Sequence, residues 1–144
     1  MIQVKTSTSI KANRADVFAF LMDVSNRPKI IPLLERVVLL DDGPINLGSK
    51  CVEISTIAGR KLETTYQVVT YRENEAVSVV TTESIFPIRV DMYLEENRDL
   101  TDLSIQLSFK LSGVLALSSP IVKSIVRKQA NDILGRIKTT VEMS

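Results

Sequence analysis

The amino-acid sequence predicts an α+β fold in which a curved antiparallel sheet wraps around a C-terminal helix. One alternating strand comes first, two short helices follow, and a long run of strands precedes a single amphipathic helix at about 113–142. A helix laid across a curved sheet usually leaves a cavity between the two layers. The order of the elements therefore favours a fold with an internal space, and it leaves the ligand and any chemistry open.

The first strand and the two short helices are predicted within the first 32 residues. Apolar or threonine side chains alternate with polar ones over residues 2–11, which is the period of a half-buried strand. Asn13 is a favourable N-cap for a first helix, and residues 17–22 supply its apolar stripe. A second short helix is expected to start at Ser25–Asn26 and to end near Pro32.

Six further strands are expected before the C-terminal helix, separated by turns rich in Asp, Asn, Gly or Pro. In the last of them, apolar side chains from Leu103 to Leu111 alternate strictly with polar ones. Ala58–Lys61 is interpreted as a hairpin connection, and Phe86–Pro87 interrupts the strand pattern. The predicted strands are 37–40, a strand that follows Gly48 and runs to about 56, 62–71, 77–82, 88–95 and 103–112.

Gly113 marks a change from strand period to helix period. The sequence Ser118-Ser119-Pro120 either kinks the terminal helix or caps a second helical segment. The apolar positions that recur at helical spacing are Val122, Val126, Ile133, Ile137 and Val141.

Length and composition indicate one ordinary globular domain spanning residues 1–144. A chain of this length buries roughly 70% of its unfolded surface, so it needs neither disulfides nor a metal for stability. The formal net charge of +1 gives no reason to expect a nucleic-acid partner, and membrane contact is expected to be at most transient. With Cys51 as the only cysteine and no signal-like N-terminal pattern, a reducing cytoplasm is the expected location.

The chain contains no histidine, so it lacks the commonest metal ligand and the commonest general base at neutral pH. It also lacks a phosphate-binding glycine loop, a cluster of metal ligands and a nucleophile motif. We therefore expect no metal, no cofactor and no catalytic residue that the sequence alone identifies. Cys51 has no histidine to activate it and is interpreted as structural.

Three groups of residues carry a resemblance to a known superfamily over nearly the whole chain. They are segment 17–23 followed by Pro28 and Pro32, the glycine-bounded turn 43–48, and Gly113 with the helix that follows. This arrangement resembles the START-like (SRPBCC) superfamily, known for its helix-grip fold. Within it, the chain is most similar to polyketide cyclase/dehydrase-like and lipid-transport-like proteins. Relatives often carry an aromatic residue between the two prolines, where this chain does not.

The resemblance implies a cavity between sheet and C-terminal helix that takes a hydrophobic small molecule such as a lipid, a polyketide or a quinone-like compound. Threonines 6, 8, 56 and 81 and Tyr66 are predicted to point inward, and Tyr66 is the only inward candidate for acid–base chemistry. The same apolar positions also serve as ordinary core. The predicted cavity lining is Tyr66, Val68, Thr81, Phe86, Val90, Met92, Ile105, Leu107, Phe109, Val122, Ile125, Val126 and Ile133.

The leading hypothesis is a non-enzymatic protein that binds or transports such a molecule. The alternatives are a polyketide cyclase/dehydratase-like enzyme and a protein-interaction module of the same fold. A basic face on the terminal helix, which includes Lys123, Arg127 and Lys128, is either an ordinary solvated surface or a contact for an anionic membrane. A monomer and a homodimer are both compatible with the sequence, because strand 37–40 and the run 77–80 could lie at exposed edges and pair between subunits.

Overall fold

The computed structural model describes residues 1–82, 87–110 and 119–144. A 3-10 turn at Val24–Asn26 separates the first two helices. The helices and strands in chain order are β1 (Ile2–Ile10), α1 (Arg14–Met22), α2 (Arg27–Ile30), β2 (Leu34–Leu39), β3 (Lys50–Ile57), β4 (Arg60–Arg72), β5 (Ala76–Thr82), β6 (Ile88–Asn97), β7 (Leu100–Phe109) and α3 (Ser119–Glu142).

The seven strands form one antiparallel sheet in the order β1-β7-β6-β5-β4-β3-β2. β1 and β2 are the two edge strands, and α1 and α2 connect them. The predicted α+β fold class is confirmed, with a curved sheet and a C-terminal helix. The predicted helix begins six residues earlier than α3, and that part of the prediction, 113–118, lies outside the described residues.

Local sequence signals explain where several elements begin and turn. The Asn13 side chain accepts a hydrogen bond from the backbone N–H of Asp16 at 2.8 Å, so it caps α1 as predicted. Pro28 lies in the first turn of α2, where the missing N–H costs nothing. Ala58 and Gly59 have φ values of 51° and 77° and form a two-residue hairpin turn between β3 and β4.

α3 runs alongside β1 in the same direction. Thr6 on β1 donates a hydrogen bond to Asn131, and the ammonium group of Lys138 donates to the backbone carbonyl of Ser9 at 2.5 Å. Further on, the backbone N–H of Lys11 donates to the carboxylate of Glu142 at 2.8 Å. The first half of α3 therefore lies beside the start of β1, and its second half lies beside the end.

The tightest packing is at the end of the sheet covered by α1 and the second half of α3. Leu134 and Ile137 of α3 are 2% and 1% exposed, and Leu103 of β7 is completely buried. Burial of this extent supplies about 2–3 kcal/mol for each large aliphatic side chain. This end of the molecule is thus the stable core on which the rest is built.

A bulge at Val69 brings both Tyr66 and Tyr71 to the concave face of the sheet. Val68 pairs with Val79 and Thr70 pairs with Ser78, so β4 contains one extra residue between these pairs. Without it, an even and an odd position would point to opposite faces. The Tyr71 ring instead packs edge-on against Phe18 of α1, with 5.6 Å between the ring centroids.

The two faces of β3 are the reverse of those predicted. Cys51 pairs directly with Tyr66, which shares its face with the core residue Val68. Cys51 and Glu53 therefore face the interior, while Val52, Ile54 and Thr56 share the opposite, convex face. The prediction that Thr56 points inward is wrong: its hydroxyl donates a hydrogen bond to Glu35. Apolar alternation misleads here because Ile54 is buried on the convex side, at 6% exposure.

Candidate functional site

A row of apolar side chains crosses the concave face of the sheet towards the first half of α3. Val68, Val79, Val90, Leu107 and Val4 are successive partners in the strand register. Val68 and Val4 are buried, whereas the three between them remain only half-buried. These three side chains pack against the hydrophobic core and still reach solvent, so their burial between the two layers is incomplete.

The first half of α3 shows the same partial burial from the other side. Val122, Val126 and Ile133 pack towards the sheet but are half-buried, unlike Leu134 and Ile137 further along the helix. Packing therefore loosens towards the start of α3, although Val4 of the neighbouring β1 is itself completely buried. The loosely packed end, which we call the open end, is the part of the interior best suited to admit an apolar ligand.

A polar cluster lies on the concave face of β3 and β4, near α2. The guanidinium Nη1 of Arg27 is 3.1 Å from the carboxylate Oε2 of Glu53, and their side chains are 22% and 14% exposed. Cys51 and Tyr66 are register partners two positions from Glu53 along the same strands, on the same face of the sheet. α2 thus brings a cation over an inward carboxyl group that would otherwise be buried alone.

The cluster changes the acid–base properties of its members. Burial raises the pKa of the Glu53 carboxyl, although the charge and hydrogen bond of Arg27 partly lower it. Burial and the nearby Glu53 carboxylate raise the pKa of Tyr66 to about 12, and Arg27 opposes this shift. Burial also raises the pKa of the Cys51 thiol. Tyr66 and Cys51 are accordingly neutral at physiological pH, and Glu53 is more easily protonated than an ordinary glutamate.

These groups define what the site can do chemically. Arg27 and Tyr66 are hydrogen-bond donors, and within the described part of the chain no hydrogen bond to the Tyr66 hydroxyl is found. Glu53 accepts hydrogen bonds when ionised and donates one when protonated. No group of three or more His, Cys, Asp or Glu side chains suited to a metal occurs among residues 1–82, 87–110 and 119–144.

The structure brings many of the predicted lining residues to the concave interior. Val68 and Ile105 are buried, and Phe86 lies outside the described residues. Ile125 differs from the prediction: it is 53% exposed on a flank of α3 that faces solvent. The half-buried members of the predicted set are Tyr66, Thr81, Val90, Met92, Leu107, Phe109, Val122, Val126 and Ile133.

Sequence reasoning missed Arg27 and Glu53 as site residues. For Glu53, the sequence of the β3–β4 hairpin contained a usable signal. A two-residue turn at Ala58–Gly59 sets the register of β3 against β4, so an inward Tyr66 requires an inward Cys51 and Glu53. Arg27 carries no comparable signal, because its place above β3 depends on how α2 packs against the sheet.

Comparison with known proteins extends this picture. A family model described as "Polyketide cyclase / dehydrase and lipid transport" matches residues 1–142. The comparison with curated proteins found no match. Within the parts of α3 and the shorter helices that the structure describes, no helix is both long and apolar enough to cross a membrane.

Solved structures with the same fold match this chain almost completely, and two of the three described next are also matched over nearly their own full length. A conserved protein from Geobacillus kaustophilus has a TM-score of 0.81 at 16% identity and covers 99% of this chain and 97% of its own. A START superfamily protein from Mycobacterium smegmatis has a TM-score of 0.76 at 17% identity, with 98% and 97% coverage. The di-domain ARO/CYC BexL from the BE-7585A biosynthetic pathway has a TM-score of 0.80 at 15% identity, covering 99% of this chain and 47% of its own.

Proposed function

This chain belongs to the polyketide cyclase/dehydrase and lipid transport family, and from that premise we propose that it binds or transports a hydrophobic small molecule between the sheet and α3. Residues 1–144 act as one ligand-binding domain. The ligand is a lipid, a polyketide or a quinone-like compound. The observation that carries this proposal is the loose packing of apolar side chains at the open end, beside a tightly packed core at the other.

The lining favours a ligand with a long apolar body. Val79, Val90, Met92 and Leu107 present only aliphatic or thioether surface, and α3 contributes Val122 and Val126 from above. Methionine adapts its shape easily, so Met92 allows the lining to accommodate ligands of irregular outline. Burial of apolar ligand surface here provides affinity at about 25 cal/mol per Å² before the costs of association are subtracted.

The polar cluster favours a ligand with one hydrogen-bonding end. Arg27 and Tyr66 offer donors to a carbonyl, phenol or carboxylate oxygen, and Glu53 offers an acceptor to a hydroxyl group. A few polar groups in an otherwise apolar pocket orient the ligand instead of supplying most of its affinity. Lipids, polyketides and quinones all combine an apolar body with such an oxygen.

The experiment that tests the proposal fills the interior with a larger side chain. Met92→Trp places an indole in the half-buried interior, and Tyr93→Trp places one on the opposite face, where Tyr93 is 39% exposed. The natural chain contains no tryptophan, so each variant also carries a single fluorescent reporter. Titration with N-phenyl-1-naphthylamine should show weakened binding for Met92→Trp and natural affinity for Tyr93→Trp.

Native mass spectrometry followed by organic extraction identifies any ligand that the protein carries when purified. A bound mass that extracts into solvent supports the proposal and gives the ligand class. Absence of both a bound mass and probe binding in the natural protein, with its fold intact by circular dichroism, overturns it.

A second candidate function is cyclase or dehydratase chemistry, favoured by the raised pKa of the Glu53 carboxyl beside Tyr66. A carboxyl of this kind can exchange a proton with carbon next to a ketone, as dehydration of a β-hydroxy ketone requires. Glu53→Gln should abolish release of water from such a substrate while leaving apolar-probe binding unchanged. If the natural protein binds such a substrate without converting it, cyclase or dehydratase chemistry on that substrate is excluded.

A further inference from the structure

Two isoleucines project into solvent from the first two turns of α3. Ile121 is 65% exposed and Ile125 is 53% exposed, and they lie four residues apart on one flank of the helix. The flank that packs on the sheet is different, since it carries Val122 and Val126. Single exposed aliphatic residues are common on surfaces, but two neighbouring ones on a helix form an apolar ridge.

The same stretch of helix has a strongly one-sided charge. Residues 119–131 contain Lys123, Arg127 and Lys128 and no acidic residue. All three basic side chains are exposed, and within the described ranges none of them is within ion-pair distance of a carboxylate. The first half of α3 therefore presents uncompensated positive charge next to the apolar ridge.

The second half of α3 has the opposite character. Arg136 pairs with Asp132 at 2.9 Å, and Lys138 pairs with Glu142 at 3.0 Å. Its apolar residues, such as Leu134 and Ile137, are buried against the sheet. The two halves of one helix thus differ in both charge balance and apolar exposure.

A further exposed apolar side chain lies at the same end of the molecule. Met1 is 79% exposed, and it lines a shallow pocket of about 330 Å³ together with Lys123, Ser119 and Pro120. Apolar side chains interleaved with lysine and arginine are the composition of surfaces that insert into the headgroup region of anionic bilayers. A purely acidic surface would match the charges, but it would leave the isoleucine ridge without an apolar complement, whereas an anionic bilayer supplies both.

From these observations we infer that the first half of α3 is a docking surface for an anionic lipid bilayer. Ile121 and Ile125 enter the boundary between headgroups and acyl chains, and the three basic residues contact the lipid phosphates. This surface adjoins the open end of the interior. Docking therefore brings the entrance of the proposed ligand site to the membrane.

Vesicle co-sedimentation of the full chain tests the inference. The natural protein should bind vesicles of phosphatidylcholine mixed with phosphatidylglycerol and should bind phosphatidylcholine alone far more weakly. Because each basic residue near an anionic surface contributes about 1 kcal/mol, K123E/R127E/K128E should lower vesicle affinity at least about 100-fold. I121S/I125S should lower it about tenfold, because the apolar contribution is lost.

The matched control is K50E/R60E/K61E, which makes the same change in net charge with exposed residues of β3 and β4. This variant should bind anionic vesicles within about threefold of the natural protein, a difference of less than 1 kcal/mol. The inference is overturned if the natural protein fails to bind anionic vesicles, if it binds neutral ones equally well, or if the control loses as much affinity as K123E/R127E/K128E.

One further measurement keeps this test separate from the ligand-binding proposal. I121S/I125S alters only exposed side chains, so it should retain natural affinity for N-phenyl-1-naphthylamine in the absence of vesicles. Loss of vesicle binding with retained probe binding supports the docking surface. Loss of both vesicle binding and probe binding would indicate that the two isoleucines stabilise the interior of the protein. That result would overturn the inference.

Discussion

Arg27 of α2 and Glu53 of β3 are 26 positions apart in the chain, yet the guanidinium Nη1 and the carboxylate Oε2 lie 3.1 Å apart. The pair joins a one-turn helix to the edge region of the sheet, directly beside Tyr66. The positive charge of Arg27 compensates the negative charge of the inward Glu53 carboxylate, because a buried charge without a partner is strongly destabilising.

Arg27→Ala should lower the free energy of unfolding by about 2 kcal/mol, because it leaves Glu53 half-buried without its cation. Arg136→Ala is the matched control, since Arg136 and Asp132 are about half exposed and such pairs contribute under about 1 kcal/mol. Urea denaturation measures both. Equal losses for the two variants would show that the Arg27–Glu53 pair is no more than a surface ion pair.

Removal of Arg27 should also raise the pKa of Glu53 further, because the arginine charge and hydrogen bond are what lower it. Carboxyl ¹³C titration by NMR of the natural protein and of Arg27→Gln measures the shift. An unchanged Glu53 pKa in the variant would contradict the proximity of the two groups.

The raised pKa of Glu53 has a defined effect on stability. The folded state holds this proton more tightly than the unfolded state, so the contribution is fully present below the ordinary glutamate pKa. It is lost as pH rises through the folded-state value. As pH rises, the natural protein should therefore become less stable relative to Glu53→Gln, as judged by the free energy of unfolding. A constant difference across that range would be inconsistent with a shifted pKa.

Tyr66 should ionise near pH 12, compared with 10.0 for an unperturbed tyrosine. Absorbance at 295 nm follows phenolate formation, and Tyr66→Phe should remove a transition near pH 12. Because the folded pKa is raised, Tyr66 stabilises the fold fully below pH 10, and this contribution is lost as pH rises from about 10 to about 12. If Tyr66→Phe leaves the absorbance change near pH 12 intact, the phenol is not buried in the cluster.

Deletion of Val69 should remove the bulge without turning Tyr71 away from the concave face, because Val68 can still pair with Val79 and Tyr71 with Val77, so the free energy of unfolding should fall by less than about 2 kcal/mol. Val69→Ser is the control, since Val69 is 37% exposed and a surface substitution typically changes stability by about 0.5 kcal/mol. Urea denaturation compares the two. A much larger loss for the deletion than for Val69→Ser would contradict this expectation and would mean that the edge-on contact between Tyr71 and Phe18 depends on the bulge.

The order of the elements could be predicted from the sequence because it depends on local patterns. Strict alternation in β1 and β7, the Asn13 cap and the change of period near Gly113 each act within a few residues. The family resemblance rests on the same signals. The predicted strand 37–40 begins three residues late, because β2 starts at Leu34 and contains a bulge before Arg36.

The candidate site was predictable only in part, and β3 shows why. Val52 and Ile54 have the composition of an inward face, so local alternation favours the wrong orientation. The pairing of Cys51 with Tyr66 overrides that preference, since all paired residues in a ladder must point to the same side. Reading the hairpin register together with Tyr66 would have identified Glu53, whereas strand composition alone could not.

The sequence by itself thus determined the kinds of element, their order and the apolar stripe of α3, because these follow from hydrogen-bonding geometry and side-chain periodicity along a short stretch of chain. Only the tertiary structure decided that Arg27 lies over Glu53 and that the first half of α3 leaves Ile121 and Ile125 in solvent. Both depend on how a helix packs against distant strands. That packing depends on burial and charge compensation between residues far apart in the chain, which no local sequence pattern indicates.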